Sequence, residues 1–269
     1  MENWLTDKSI LITGGTSGLG RSLVLKFLAN GNNVISIARN ESTLEIEDKN
    51  YKHYVCDFSD LSNLRQLVEK LIIKKISVDI LINNAGVLSP PDYQETVDGF
   101  ELSYQVNFLS HLLLTRLLLS HNVLNSDLIV NTSSPIHTRG HLDLEKTLDK
   151  NEYKLFKNYA HTKLYMAMLS KLLSEEGRNS FSFNPGTFNS GIYRLQKKWF
   201  HAMYKIAAPF MSSSKEVANC LHKIIENKNW KSGKMINKKG KESPILHIDE
   251  LQYKEFWDKV NRQISKHLV

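Results

Sequence analysis

The chain has 269 residues, 41% of them hydrophobic and 23% charged, with 35 basic residues against 28 acidic ones for a net charge of +7. This balance excludes a disordered chain, a collagen and a disulfide-stapled miniprotein, and the length suffices to bury a large core. The charges are dispersed rather than striped, so a basic balance alone does not imply nucleic acid; local density occurs only at Lys228, Lys231, Lys234, Lys238, Lys239 and Lys241.

Lys8 to Thr13 is a short apolar run that ends in glycines, and Leu19 to Asn30 carries apolar residues at helical spacing until Gly31 stops it. Asn33 to Ala38 reads as a second strand and Tyr51 to Cys56 as a third. Asp60 to Lys74 reads as a helix with Asp60 as N-cap, and Val78 to Asn83 as a fourth strand. A long helix is expected from about Gly99 to His121, then a strand over Asp127–Thr132 and a long helix over Tyr153–Gly177. Ser180 to Phe183 begins a sixth strand, Lys215 to Asn227 is helical, Lys234 to Asn237 is a last strand, and Asp249 to His267 a terminal helix. This alternation predicts one α/β domain, a doubly wound parallel sheet of about seven strands with helices on both faces.

The first strand and helix enclose Thr13-Gly14-Gly15-Thr16-Ser17-Gly18-Leu19-Gly20. Gly14 suits a tight turn, Gly18 a close approach to pyrophosphate and Gly20 tight helix–sheet packing, with the helix N-terminus supplying free N–H groups. The second strand ends in Arg39-Asn40, without the acidic residue that would accept from a ribose 2′-hydroxyl. Arg39, helped by Ser17, suits a 2′-phosphate, which favours NADP(H) over NAD(H). Asp57, before Phe58, is placed to accept from an adenine amino group or to cap a turn. Asn83-Asn84-Ala85-Gly86 ends the fourth strand with small residues that let the loop lie against a cofactor.

Tyr159 and Lys163 stand four apart on one helix face. A neighbouring ammonium favours a phenolate, so the pair can exchange a proton with an alcohol or carbonyl. Ser134 follows the fifth strand, on the side where open α/β sheets bind ligands. Asn107 sits inside a predicted helix, where its low propensity suggests a hydrogen-bonding duty.

TGGTSGLG at 13–20, NNAG at 83–86, Asn107, NTSS at 131–134, YAHTK at 159–163 and NPG at 184–186 together resemble the short-chain dehydrogenase/reductase family. The resemblance implies a Rossmann fold of strand order 3-2-1-4-5-6-7. It implies Tyr159 as acid/base, Lys163 as the residue that lowers its pKa and contacts the nicotinamide ribose, Ser134 as holder of the substrate oxygen, and Asn107 as support of a water-linked proton relay. It assigns cofactor contacts to Gly14, Thr16, Ser17, Gly18, Leu19, Gly20, Arg39, Asp57, Phe58, Asn84, Ala85, Gly86, Tyr159, Lys163, Pro185, Gly186, Phe188 and Ser190. Ser134 and Tyr159 are 25 residues apart (159 minus 134), about a dozen more than in most of the family. The extra segment, about 141–157, resembles the retinol-dehydrogenase-like branch and its relatives such as the WW-domain oxidoreductases. Asn184 replaces that branch's usual histidine before Pro185-Gly186.

A substrate lid is expected over about 188–214, with Ile192, Tyr193, Leu195, Trp199, Phe200, Met203, Tyr204, Ile206, Phe210 and Met211 suited to an apolar carbonyl or alcohol. Interleaved Arg194, Lys197, Lys198 and Lys205 would also suit contact with a membrane surface. No 18-residue apolar run or secretory signal is visible, and the two cysteines, Cys56 and Cys220, form no disulfide framework, so a cytoplasmic protein is expected. His137 and His141 lack an evident third ligand, so no metal is expected. Leu109, Leu112, Leu113, Leu114, Leu117, Leu118 and Leu119 exceed what one sheet face can bury, which predicts a homodimer or homotetramer. The reading is an NADP(H)-dependent oxidoreductase that interconverts an apolar carbonyl and alcohol. The alternative is a non-catalytic NADP(H)-binding regulatory protein on the same fold.

Overall fold

In the computed structural model the described residues are 4–268, apart from 42–45, 47, 194, 199–210 and 247. About half of the expected lid, including Arg194, Trp199, Phe200, Met203, Tyr204, Lys205, Ile206 and Phe210, therefore lies outside the described residues. Eight strands form one sheet: β1 (Ser9–Thr13), β2 (Asn33–Ala38), β3 (Tyr51–Val55), β4 (Val78–Asn83), β5 (Leu124–Thr132), β6 (Ser180–Asn184), β7 (Met235–Asn237) and β8 (Glu242–Ser243). Their order is β3-β2-β1-β4-β5-β6-β7-β8. The sheet thus has one strand more than expected. β8 pairs antiparallel with β7 across a short hairpin, and two residues are too few for a period-two pattern to reveal them.

Alternation along the strands divides the core. Ile10, Ile12, Val34, Ile80, Ile82, Val130, Phe181 and Phe183 face α1 (Gly18–Leu28) and a helix we number α7 (Ser214–Glu226). Leu11, Ile35, Ile37, Leu81 and Ile129 point the other way. They meet α2 (Leu61–Ile73), α4 (Ser110–Ser120) and α6 (Leu155–Glu175). Strands buried on both faces explain why their sequences read as continuous apolar runs.

The expected helix over Gly99–His121 is shorter and divided. It begins as α3 (Leu102–Tyr104), where Glu101 caps by accepting from Ser103 N and Tyr104 N, and passes through a π turn, Gln105–Leu109, before α4. The expected insertion folds as α5 (Leu144–Leu148) and a 3-10 turn, Lys150–Glu152, so α6 starts at Leu155 rather than Tyr153.

The leucine-rich stretch is not left for a second copy of the chain. Leu109, Leu112, Leu113, Leu114, Leu117 and Leu118 are buried within this chain. Their core also contains Phe256, Trp257, Val260 and Ile264 of the terminal helix α8 (Glu250–Ile264). Phe256 and Trp257 stand with ring centres 6.0 and 5.9 Å from Phe108, and Phe256 lies 4.7 Å from Tyr165. Sheet, α2 and α8 together bury what one sheet face could not, which removes the argument on which the oligomer expectation stood.

Candidate active site

The carboxyl ends of β1 to β6 open into one cavity of about 470 Å³. That is within the range of small-molecule and cofactor sites. Of the expected residues, Gly14, Thr16, Ser17, Leu19, Arg39, Asp57, Phe58, Asn84, Ala85, Gly86, Ser134, Tyr159, Lys163, Pro185, Gly186, Phe188 and Ser190 line it. Gly18, Gly20 and Asn107 do not; they shape it from behind.

At the β1 end, Gly14 turns with φ +72° and donates to the Ile37 carbonyl at 2.7 Å. Gly20 lies under that turn: a Cβ there would stand 2.1 Å from the Gly14 oxygen and 2.7 Å from Asn84 Nδ2. Only glycine lets α1 begin so close to the strand, and its first N–H groups then face the cavity as an anion site. Arg39 is exposed and lines the cavity just after the end of β2, which adjoins the glycine turn. The turn that carries it is held by His53, whose ring bonds the Asn40 carbonyl at 3.0 Å and Ser36 Oγ at 2.7 Å. Asp57 accepts from Ser59 N and Ser59 Oγ at 3.0 and 2.9 Å, so it caps a turn as well as lining the wall.

The asparagines after β4 divide their work. Asn84 Nδ2 donates to the Thr13 carbonyl at 2.9 Å, tying β4 to β1. Asn83 Nδ2 donates to Asn131 Oδ1 at 2.8 Å, tying β4 to β5. Asn107 projects from the π turn, a local geometry often found at functional sites. Its Oδ1 accepts from Val87 N at 2.7 Å, and its Nδ2 donates to the Val87 carbonyl and Thr162 Oγ1 at 2.9 and 3.2 Å. The side chain is thereby committed to joining the β4 loop to α6.

Ser133 and Ser134 are separated by strand alternation. Ser133 Oγ donates to the Lys163 carbonyl at 2.7 Å, a structural bond. The Ser134 side chain stands beside the Tyr159 phenol and favours its ionised form. Lys163 is buried, with Nζ 3.2 Å from the Thr132 carbonyl and 5.7 Å from the centre of the Tyr159 ring. Burial lowers its pKa to about 8. The expected lowering of the Tyr159 pKa is not what this geometry gives. Burial, and then the neighbouring Tyr193, push the phenol upward, and only Ser134 acts downward.

The first lid residues fold over this centre. Ile192 accepts from Leu88 N at 3.3 Å, and Gln196 Nε2 donates to the Ser89 carbonyl at 2.8 Å. Val87, Leu88, Val106, Ile136, Ile192 and Leu195 give the cavity an apolar end beside Tyr159. Of the two histidines weighed as metal ligands, His137 has both ring nitrogens engaged, whereas His141 is bonded through its backbone. His137 bonds the Ser134 and Pro244 carbonyls, and the His141 backbone carbonyl meets the His161 ring. Sequence reasoning missed His111 and gave Thr13 and Thr162 no role of their own. For His111 a signal existed, since it stands one helical turn after Asn107.

A family model described as short chain dehydrogenase matches residues 8–198. The chain belongs to the short-chain dehydrogenase family. It is 32% identical to human polyprenol dehydrogenase over 209 residues, 70% of this chain and 63% of that protein. It is 33% identical to human retinol dehydrogenase 13 over 187 residues, 65% of this chain and 56% of that protein. The matches thus span about three fifths of these curated relatives' length, and they support the retinol-dehydrogenase-like branch. Among solved structures, a short chain dehydrogenase from Salmonella enterica has a TM-score of 0.68 at 20% identity, with 89% of this chain and 98% of that chain covered. A short chain dehydrogenase from Shigella flexneri, complexed with NADP, has a TM-score of 0.67 at 20% identity, with 89% and 100% covered. These two share the fold. Among the described residues, no helix is long and apolar enough to cross a membrane.

Proposed function

We propose that this short-chain dehydrogenase is an NADP(H)-dependent oxidoreductase that interconverts an apolar aldehyde or ketone and its alcohol. The observation that carries the reading is one cavity with a glycine-lined anion site and Arg39 at one end and Ser134, Tyr159 and Lys163 at the other. The fit to a dinucleotide rests on the glycine turn. A Cβ at Gly14 would meet Ala85 Cα at 2.9 Å, so backbone rather than side chain forms that wall. Arg39, with no carboxylate at the end of β2, suits a 2′-phosphate. When bound, a nicotinamide cofactor supplies the hydride chemistry.

The chain's own part is positioning and proton transfer. Ser134 and Tyr159 are neighbours on the cavity wall and so can present two hydroxyls to one substrate oxygen. A phenol raised by burial stays protonated at neutral pH, which suits Tyr159 to act as an acid toward a carbonyl oxygen. The Lys163 ammonium favours the phenolate left behind and stands by to share its proton. The apolar end excludes water around the reacting carbon.

The expectation of a homodimer or homotetramer now rests on family resemblance alone. Purified protein assayed for NADPH oxidation against a panel of apolar aldehydes and ketones tests the proposal. Turnover that prefers NADPH to NADH supports it; tight NADPH binding with no turnover on any carbonyl favours the regulatory alternative.

A further inference from the structure

Beneath the cavity floor lies a buried histidine that the reaction described above does not use. His111 is fully enclosed, as are Thr13 and Asn107 on either side of it. Its Nε2 lies 2.9 Å from Thr13 Oγ1, and its Nδ1 lies 3.2 Å from the Asn107 backbone carbonyl. The ring packs edge-on to Phe58, with centroids 5.0 Å apart.

The proton positions follow from counting. Thr13 Oγ1 accepts from Asn84 N at 2.8 Å and from Ala85 N at 2.9 Å. A hydroxyl oxygen has two acceptor sites and one hydrogen. With both sites filled, only its hydrogen remains for His111 Nε2, and the alternative acceptor, the Ile82 carbonyl, is distant at 3.5 Å. His111 Nε2 is therefore the acceptor and carries no proton. The proton of the neutral ring is then on Nδ1, where it is donated to the Asn107 carbonyl. A charged imidazolium would set an N–H against a hydroxyl with no lone pair to spare. Burial and the nearby Lys163 charge disfavour that form as well, lowering the His111 pKa to about 3.

We infer that His111 is a positioning residue for this site: as the neutral Nδ1–H tautomer it links the Asn107 carbonyl to the Thr13 hydroxyl, and so fixes the π turn against the ends of β1 and β4. The inference rests on the reading of the cavity as a reductase site, because it joins the wall that faces the cofactor to the residue that supports the reacting end. Thr13 holds the backbone of Asn84 and Ala85, which line the cofactor side. Asn107 holds Val87 and, through Thr162, the first turn beyond Tyr159.

Substitution separates the two ends. An asparagine amide stands where Nδ1 stands, and a glutamine amide reaches to where Nε2 stands. His111→Leu removes both bonds and is expected to lower kcat roughly 10- to 100-fold, the scale on which small misplacements act, and to weaken NADPH binding. His111→Asn, which can still donate to the Asn107 carbonyl, recovers kcat more than NADPH affinity. His111→Gln, which can still accept from Thr13, recovers NADPH affinity more than kcat. Nitrogen-15 spectra of the histidine rings in the wild-type apo protein test the tautomer without substrate and without any variant that must fold. They should show His111 Nδ1 protonated and Nε2 bare at neutral pH. The opposite tautomer, or wild-type kcat and NADPH affinity in His111→Leu, overturns the inference. If no carbonyl turns over, the reductase reading fails separately, while the ring spectra and NADPH affinities still decide the role of His111.

Discussion

The Lys163 ammonium lies 5.7 Å from the centre of the Tyr159 ring while its Nζ donates to the Thr132 carbonyl at 3.2 Å. One buried cation is thus shared between the Tyr159 ring and the last residue of β5. Its burial has a cost that can be measured. The folded-state pKa of about 8 lies below the ordinary lysine value of 10.5. The charged form is therefore disfavoured by folding at every pH below about 8, and the cost fades as pH rises from there toward 10.5. Lys163→Met should stabilise the fold by roughly 1–3 kcal/mol at pH 7, offset in part by the lost bond to Thr132, while abolishing turnover. The gain should shrink in denaturant melts at pH 9 to 10. An equal gain at both pH values would contradict this.

Arg39 decides between the two nicotinamide cofactors in our reading. Arg39→Asp exchanges a phosphate partner for a group that repels phosphate and accepts from a ribose hydroxyl. Its Kd for NADPH should rise at least about 30-fold, the loss expected for a charged contact of this kind, and its Kd for NADH should fall. Titration by cofactor fluorescence reads both. Unchanged NADPH affinity would remove Arg39 from the site.

Gly20→Ala should be costly although alanine is the better helix former. The added methyl would enter the space of the Gly14 carbonyl, 2.1 Å away. Overpacking of this kind costs about 1–3 kcal/mol. A thermal melt several degrees below wild type, with NADPH no longer raising the melting temperature, is the expected result.

The terminal helix covers the α4 leucines in the core. Trp257→Ala should destabilise by about 3–5 kcal/mol, as expected for truncating a buried tryptophan, because Trp257 packs on Phe108 of the π turn. Urea melts would show this. A loss below 1 kcal/mol would mean that α8 is dispensable to the α4 leucines.

The first seven strands were legible because most of them are buried on both faces and bounded by helical spacing, whereas β3 is half-exposed and the strand order came from the family resemblance alone. The glycine turn was legible because Gly14 and Gly20 meet a backbone requirement that no other residue satisfies. Ser134 could be told from Ser133 by motif, and alternation after β5 gives the physical reason. What stayed hidden depends on long-range packing. The α4 leucines looked excessive because their cover, Phe256 and Trp257, comes from residues more than 130 positions away. The π turn is invisible to a helical period, and β8 is too short to have one. The upward shift of Tyr159 arises from burial and from the neighbouring Tyr193, which residue spacing does not encode.

The central claim is that Tyr159 is the acid of a carbonyl reductase. The most direct test is NADPH oxidation by wild type and by Tyr159→Phe, each with the best aldehyde or ketone of the panel, and with NADPH affinity measured alongside. The account predicts a kcat loss of about 100-fold or more in the variant, the scale of one acid–base group, with NADPH affinity within about threefold of wild type. Wild-type turnover in Tyr159→Phe would contradict it.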